Sequence, residues 1–300
     1  MEDSEIAALI KLIDDEDSDI YQNVAARLLA IGGRAYQQIY EHSLRADSEL
    51  QHERLTKVLS QLHVGHLKHE LTEGNEHHQD SLLQGYFLIS KYRYPELKIE
   101  PLVAQIDQIK LDVWLRLNYQ FSPIDNARIL NEVFFEKHRF TGDSKDYYHP
   151  DNSFLNTVLE RKKGNPISLS ILYSIIAQKL YLPVFGVNLP NHFILAYKDD
   201  SELDANESFN SSSTLKHSMP GEVLFYLNVF NKGALFSRHN IDRFLKEKNL
   251  SSESSYYEPC SNKTILLRVL RNLINGYSMK NDHQRVEDLN ELYQFLTSLE

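Results

Sequence analysis

Over residues 1–62 apolar side chains recur at helical spacing and polar ones fill the gaps, the pattern of short amphipathic helices packed together. Ile6, Ile10 and Ile13 share a face of the first. Ile20, Val24, Leu28 and Ile31 share a face of the second, with Ser18 or Asp19 as the expected cap. Gly32-Gly33 should end that helix in a left-handed turn. Ala35, Ile39 and Leu44 mark a third helix, and Leu50, Leu55, Val58 and Leu62 a fourth. The stretch 63–80, "HVGHLKHELTEGNEHHQD", turns polar and reads as a break after an N-terminal cap. Three helical segments follow at 81–93, 99–118 and 123–138, with Pro95, Pro101 and Pro123 at the joints.

From residue 152 the pattern changes. A helix over 152–162 runs into Gly164, and Asn165-Pro166 then opens a second helix, "PISLSILYSIIAQKLYL". Asn165 is suited to cap it and Pro166 to its first helical position. Apolar almost all round, this helix belongs inside. Two strands, "PVFGVN" and "HFILAYK", form a hairpin with His192 at its corner. Residues 199–222 read as a polar loop, "VLFYLNVF" as a further strand, and 238–248 as a helix. Helices at 263–278 and 283–298 finish the chain. The fold class is therefore α+β and mostly helical: a buried helix against a small antiparallel sheet, with helical extensions at both ends. The expected divisions are 1–75, 76–250 and 251–300.

Composition narrows the function. The hydrophobic fraction of 42% is enough to fill a core, and the formal net charge of −10 disfavours nucleic acid and anionic membrane as partners. The acidic start Met-Glu-Asp-Ser-Glu is unlike a secretory leader, and no apolar run is long enough to span a bilayer, so the expected location is the cytoplasm. The single cysteine, Cys260, allows no internal disulfide and no thiolate cluster. No phosphate loop, dinucleotide fingerprint or zinc-finger spacing occurs, so no cofactor is expected. His63, His66 and His69 with Glu70 and Glu73 are ligand types. A solvated helix face supplies the same residues, and no metal site is expected.

One stretch carries chemistry. A helix N-terminus beside a histidine that opens a strand is the arrangement of cysteine-nucleophile enzymes. The helix dipole lowers the thiol pKa, the imidazole takes the proton, and an Asp or Asn on the next strand orients the ring. The segments "NSFLNTVLERKKGNPISLSILY", "LPVFGVNLPNHF", "LNVFNKGALFS" and "LLRVLRNLINGY" resemble the transglutaminase-like superfamily, and more closely its SirB-type branch. The N-terminal string "ALIKLIDDEDSDIYQNVAARLLAIGGRAYQQIY" resembles a single HEAT-like unit, and the last two helices resemble a tetratricopeptide-type pair.

The resemblance places the family's nucleophile two residues after Gly164, where this chain has Pro166. It places the family's base at His192. The orienting residue should lie near the end of "VLFYLNVF", at Asn228, with Asp204 in an insertion. Ser168 is the hydroxyl nearest the degenerate position, and its plain role is to bond a free amide in the first helical turn. The expectation is a pseudoenzyme: a non-catalytic regulatory module that binds protein or peptide in a groove lined by Asn152, Asn165, Ser168, His192, Asn228 and Tyr148. The alternatives are a hydrolase or acyltransferase using Ser168 with His192 and Asn228, and an inert scaffold that binds through its terminal helices.

Overall fold

The computed structural model describes residues 2–77, 82–118, 120–199 and 221–299, and Asp204 lies outside them. The chain divides into two compact units, one of residues 1–73 with 282–300, the other of residues 74–281.

The first unit holds α1 (Glu2–Lys11), α2 (Ser18–Ile31), α3 (Gly33–Ser43), most of α4 (Glu49–His77) and α12 (His283–Ser298). Its core holds most of the positions that the spacing picked out: Ile6, Ile10, Ile13, Val24, Leu28, Ala35, Ile39, Leu55 and Val58 are buried and Ile31 and Leu62 partly so, whereas Ile20, Leu44 and Leu50 are exposed. The cap of α2 is Asp17, whose carboxylate accepts from the Asp19 N–H. Gly32 ends α2 at φ +73°, a backbone that side chains rarely adopt. Arg54 donates to the carbonyls of Ile13 and Asp15 at 2.8 and 2.7 Å, tying the α1–α2 loop to α4. Ser60 bonds Asp288, and Lys68 pairs with Glu291 at 2.5 Å, joining α4 to α12.

The break expected at 63–80 is helix as far as His77. Val64, Leu67 and Leu71 explain why: they keep the helical spacing through the polar string and are buried. His66 Nε2 stands 3.7 Å from Glu70 Oε2, one turn on.

The second unit is organised around α9 (Pro166–Gln178), in which every residue from Pro166 to Ala177 is buried. Each fully buried Ile or Leu there stabilises the fold by about 1.5–3 kcal/mol. Around α9 pack α5 (Leu82–Lys91), α6 (Ile99–Trp114), α8 (Leu155–Arg161), α11 (Asn262–Met279) and one face of the sheet. Tyr173 of α9 donates to Asn131 Oδ1 at 2.9 Å, at the end of α7 (Pro123–Asn131). The chain continues past α7 in a wide π-type turn over Glu132–Lys137.

Two-residue strands β1 (Thr141–Gly142) and β2 (Lys163–Gly164) pair in parallel. The main sheet is antiparallel in the order β3 (Val184–Leu189), β4 (His192–Lys198), β5 (Val223–Asn228), β6 (Ala234–Phe236). The β3–β4 register runs from Val184–Tyr197 to Leu189–His192. Strand alternation sends Phe193, Leu195 and Tyr197 towards α9. It sends Ile194 and Ala196, with Val187, Leu189 and Tyr226, towards Ile241 and Leu245 of α10 (Arg238–Glu247). The Cys260 N–H donates to the Gly186 carbonyl at 2.8 Å, laying the segment before α11 along the edge of β3. Among the described residues no helix is long and apolar enough to cross a membrane.

Candidate functional site

The turn that opens α9 follows from its sequence. Asn165 Oδ1 accepts from the Ser168 N–H at 3.0 Å, and Ser168 Oγ accepts from the Asn165 N–H at 3.0 Å. This reciprocal pair satisfies two helix-end donors, and Pro166 contributes none. Ser168 Oγ also donates to the Asn165 carbonyl at 3.1 Å. Gly164 is glycine because a Cβ there would stand 2.4 Å from Ser168 Oγ.

The polar network extends outward from this turn. Asn165 Nδ2 donates to Ser153 Oγ at 2.8 Å, and the Asn165 N–H reaches the Asn152 carbonyl at 3.3 Å. Asn152 Nδ2 donates to the Asp146 carbonyl at 2.7 Å, while its Oδ1 accepts from Arg161 at 3.1 Å. The other arm of Arg161 reaches Asp143 at 3.0 Å. Burial works against ionisation of Asp143, but the Asp146 N–H and the Arg161 and Lys163 charges hold its carboxyl below the usual range. The Arg161 guanidinium thus ties α8 to the 143–152 loop. The residues His149–Asn152 form a tight turn, with His149 Nδ1 accepting from the Asp151 N–H at 3.2 Å.

Asn152, Asn165, Pro166 and Ser168 are all buried. The groove that these residues were expected to line is therefore packed shut at this end. Fixed side-chain partners close it, because a helix N-terminus inside the protein must have its amides satisfied.

His192 does not join them. It pairs with Leu189, which belongs to the α10 side of the sheet, and its ring meets Phe244 of α10 edge-on at 4.8 Å. Among the described residues the imidazole makes no hydrogen bond, and Ser168 Oγ is not its partner. The strand period of two explains the separation: Phe193, not His192, has the parity that faces α9. Asn228 ends β5 opposite Ala234, and its side-chain oxygen accepts from the Asn231 N–H at 3.1 Å. The described β4–β5 pairing begins at Leu195–Leu227, and no hydrogen bond links Asn228 to His192. Tyr148 is exposed and packs edge-on against Tyr147 at 4.9 Å, which in turn meets Phe230 at 5.8 Å.

The surroundings of His192 are basic. Burial, then the charges of Lys248 and Arg268, push its pKa below the ordinary histidine value. Arg268 projects from α11 to Asn188 Oδ1 at 3.2 Å. Burial, then Arg271, lower its pKa, while Tyr147 and Cys260 act in the opposite sense. Burial pushes the Cys260 thiol up to about 12, so it is not a thiolate at neutral pH. Sequence reasoning passed over Arg268. Its signal was a cation set among Ile265, Leu266, Val269 and Leu270 on an otherwise apolar helix face.

A second feature also went unread. Leu111, Trp114 and Leu115 are exposed at the end of α6. A shallow cavity of about 520 Å³ lies there, lined by Trp114, Leu115, Leu117, Asn118, Asn126 and Leu182.

The buried helix, the small antiparallel sheet and the turn at Gly164–Ser168 define a transglutaminase-like domain. The sequence profile of the transglutaminase-like superfamily matches residues 100–271, more than half of the chain, and the chain belongs to that superfamily. It is 29% identical over 215 residues to a UPF0162 protein of Xylella fastidiosa, covering 68% of this chain and 67% of that one. It is 27% identical over 164 residues to a UPF0162 protein of Vibrio cholerae, covering 55% of this chain and 53% of that one. It is 25% identical over 239 residues to human F-box only protein 21, covering 71% of this chain and 36% of that one. No solved structure matches the chain.

Proposed function

We propose that this chain is a non-catalytic transglutaminase-like protein that works by binding a protein or peptide partner. The observation that carries the reading is the closed turn at the head of α9. Pro166 stands where the family's nucleophile is expected and has neither a nucleophilic atom nor an N–H for an oxyanion. The neighbouring hydroxyl of Ser168 is buried and engaged by the Asn165 backbone on both sides. His192 lies on the other side of the sheet, so the family's expected base does not stand by that hydroxyl. Acyl transfer needs a nucleophile and a base within hydrogen-bond reach, and this turn supplies neither. The exposed Trp114 and Leu115 favour a protein partner, since such surface is commonly covered in complexes. Membership of the SirB-type branch, a HEAT-like cap in α1–α3, a tetratricopeptide-like pair at the C-terminus and a cytoplasmic location belong to the same reading.

The test has two arms. Incubation with an amine donor and a glutamine peptide should give no incorporation above blank; activity abolished by Ser168→Ala or Cys260→Ala would overturn the reading. Affinity capture with the intact chain should recover a partner whose yield falls in a His192→Ala variant of unchanged melting temperature. A yield that drops only in step with melting temperature would speak for a structural histidine.

A further inference from the structure

The chain is acidic overall, with a formal net charge of −10, yet one corner of the second unit gathers cations. Arg268 leans on Asn188 at the end of β3, and Lys248 follows α10. His192, which begins β4 on the α10 face of the sheet, feels both charges. Arg268 is partly withdrawn from water, and among the described residues neither it nor Lys248 has a carboxylate partner. A guanidinium carries five N–H donors, and the carboxamide of Asn188 takes one edge of it. Half-burying a cation without a counter-charge costs stability, so such a group asks for an explanation outside the fold. Beside it stands an aromatic wall: Tyr147, whose hydroxyl feels the Arg268 charge, meets Phe230 at 5.8 Å.

We propose that Arg268, braced by Asn188 and set near Tyr147, is the docking point for an acidic side chain of a peptide segment whose neighbouring apolar residue lies against Tyr147 and Phe230. This rests on the binding reading above and names the chemistry recognised. A carboxylate suits the position because it is planar and can meet the free edge of one guanidinium with two parallel hydrogen bonds. A phosphate can take the same fork, but Arg268 lies beyond the first turn of α11, away from the helix-start amides that many phosphate sites add. The tilt towards peptide comes from the aromatic wall, which gives an apolar neighbour a place to pack.

Fluorescence anisotropy on the full chain tests this with a labelled, C-terminally amidated peptide of alternating glutamate and phenylalanine. The same peptide with glutamine for glutamate is the control, and inorganic phosphate is the competitor. The glutamate peptide should bind more tightly than the glutamine peptide. The Arg268→Gln variant should bind it at least about tenfold more weakly, a difference of 1.4 kcal/mol, while melting at the same or a higher temperature. Lys248→Gln should show a smaller loss that fades at high salt. Should Arg268→Gln fail to fold, Arg268→Lys is read instead, and it too should lose affinity because an ammonium lacks the planar fork. Equal binding of the two peptides, unchanged affinity in a folded Arg268 variant, or displacement of the peptide by millimolar phosphate would overturn the assignment. If no acidic peptide binds but a protein partner is still captured, the carboxylate site falls and the binding reading stands. If amine incorporation is found, the binding reading itself falls.

Discussion

The head of α9 and the tip of the β3–β4 hairpin are both polar places on an apolar framework, yet they are opposites. At the helix head most polar groups meet a partner of the same chain, Asn165 with Ser168 and Ser153, Asn152 with Asp146, Arg161 with Asp143, while the buried hydroxyls of Tyr86 and Ser170 are left over among the described residues. At the hairpin tip the imidazole of His192 has only a ring contact, and Arg268 has one carboxamide. A saturated network holds a fold in place and has nothing left to offer a ligand. An unsaturated one costs the fold something and keeps bonding capacity for another molecule. In this protein the turn at Pro166 is of the first kind.

The largest expected effect is therefore at the helix head. Asn165→Ala should destabilise the protein by about 2–4 kcal/mol, combining the lost cap with the stranded Ser153 hydroxyl. Chemical denaturation followed by circular dichroism reads this out, and a loss near zero would show that the network is not what holds the turn. Ser168→Ala should cost about 1 kcal/mol through the reciprocal bond alone, and a change in partner affinity at unchanged stability would instead make that hydroxyl part of a ligand site.

The smallest effect is in pH dependence and belongs to the hairpin tip. The folded-state pKa of His192 is depressed, so its contribution is present above the unfolded histidine value, about 6.5, and is lost as pH falls through that value towards the folded one. His192→Gln should flatten the stability profile in that window. An unflattened profile would mean that the cations around His192 do not act on it in solution.

Much of the framework was legible because apolar periodicity reports burial directly. Ile6, Ile10, Ile13 and the whole of α9 are inside, as their spacing required. Over 63–77 the helix itself was hard to read, because polar residues outnumber Val64, Leu67 and Leu71, which keep the helical spacing and are buried. β6 and the β1–β2 bridge were missed because strands of two or three residues have no period to detect. At the site, the capping roles of Asn165 and Ser168 were readable, since a helix start is a local event. The face on which His192 lies was not, because it depends on the parity of β4 against α9, and one residue of register reverses it. Arg268 could be marked as a cation on an apolar helix face, but not its surroundings, which come from β3 and the 143–152 loop, far apart in the chain.

The hydrogen bond from Cys260 to Gly186 bears on how the molecule tolerates crowding by its own kind. A sheet rim with free amides and carbonyls invites strands from other copies, and such pairing seeds fibrils. Here the run before α11 occupies part of the β3 rim from within the same chain. The opposite rim, β6, is only 3 residues long, too short a template for a stable intermolecular ladder. Replacing residue 260 by proline would remove the covering N–H and expose that rim, turning a closed hem into a seam for aggregation.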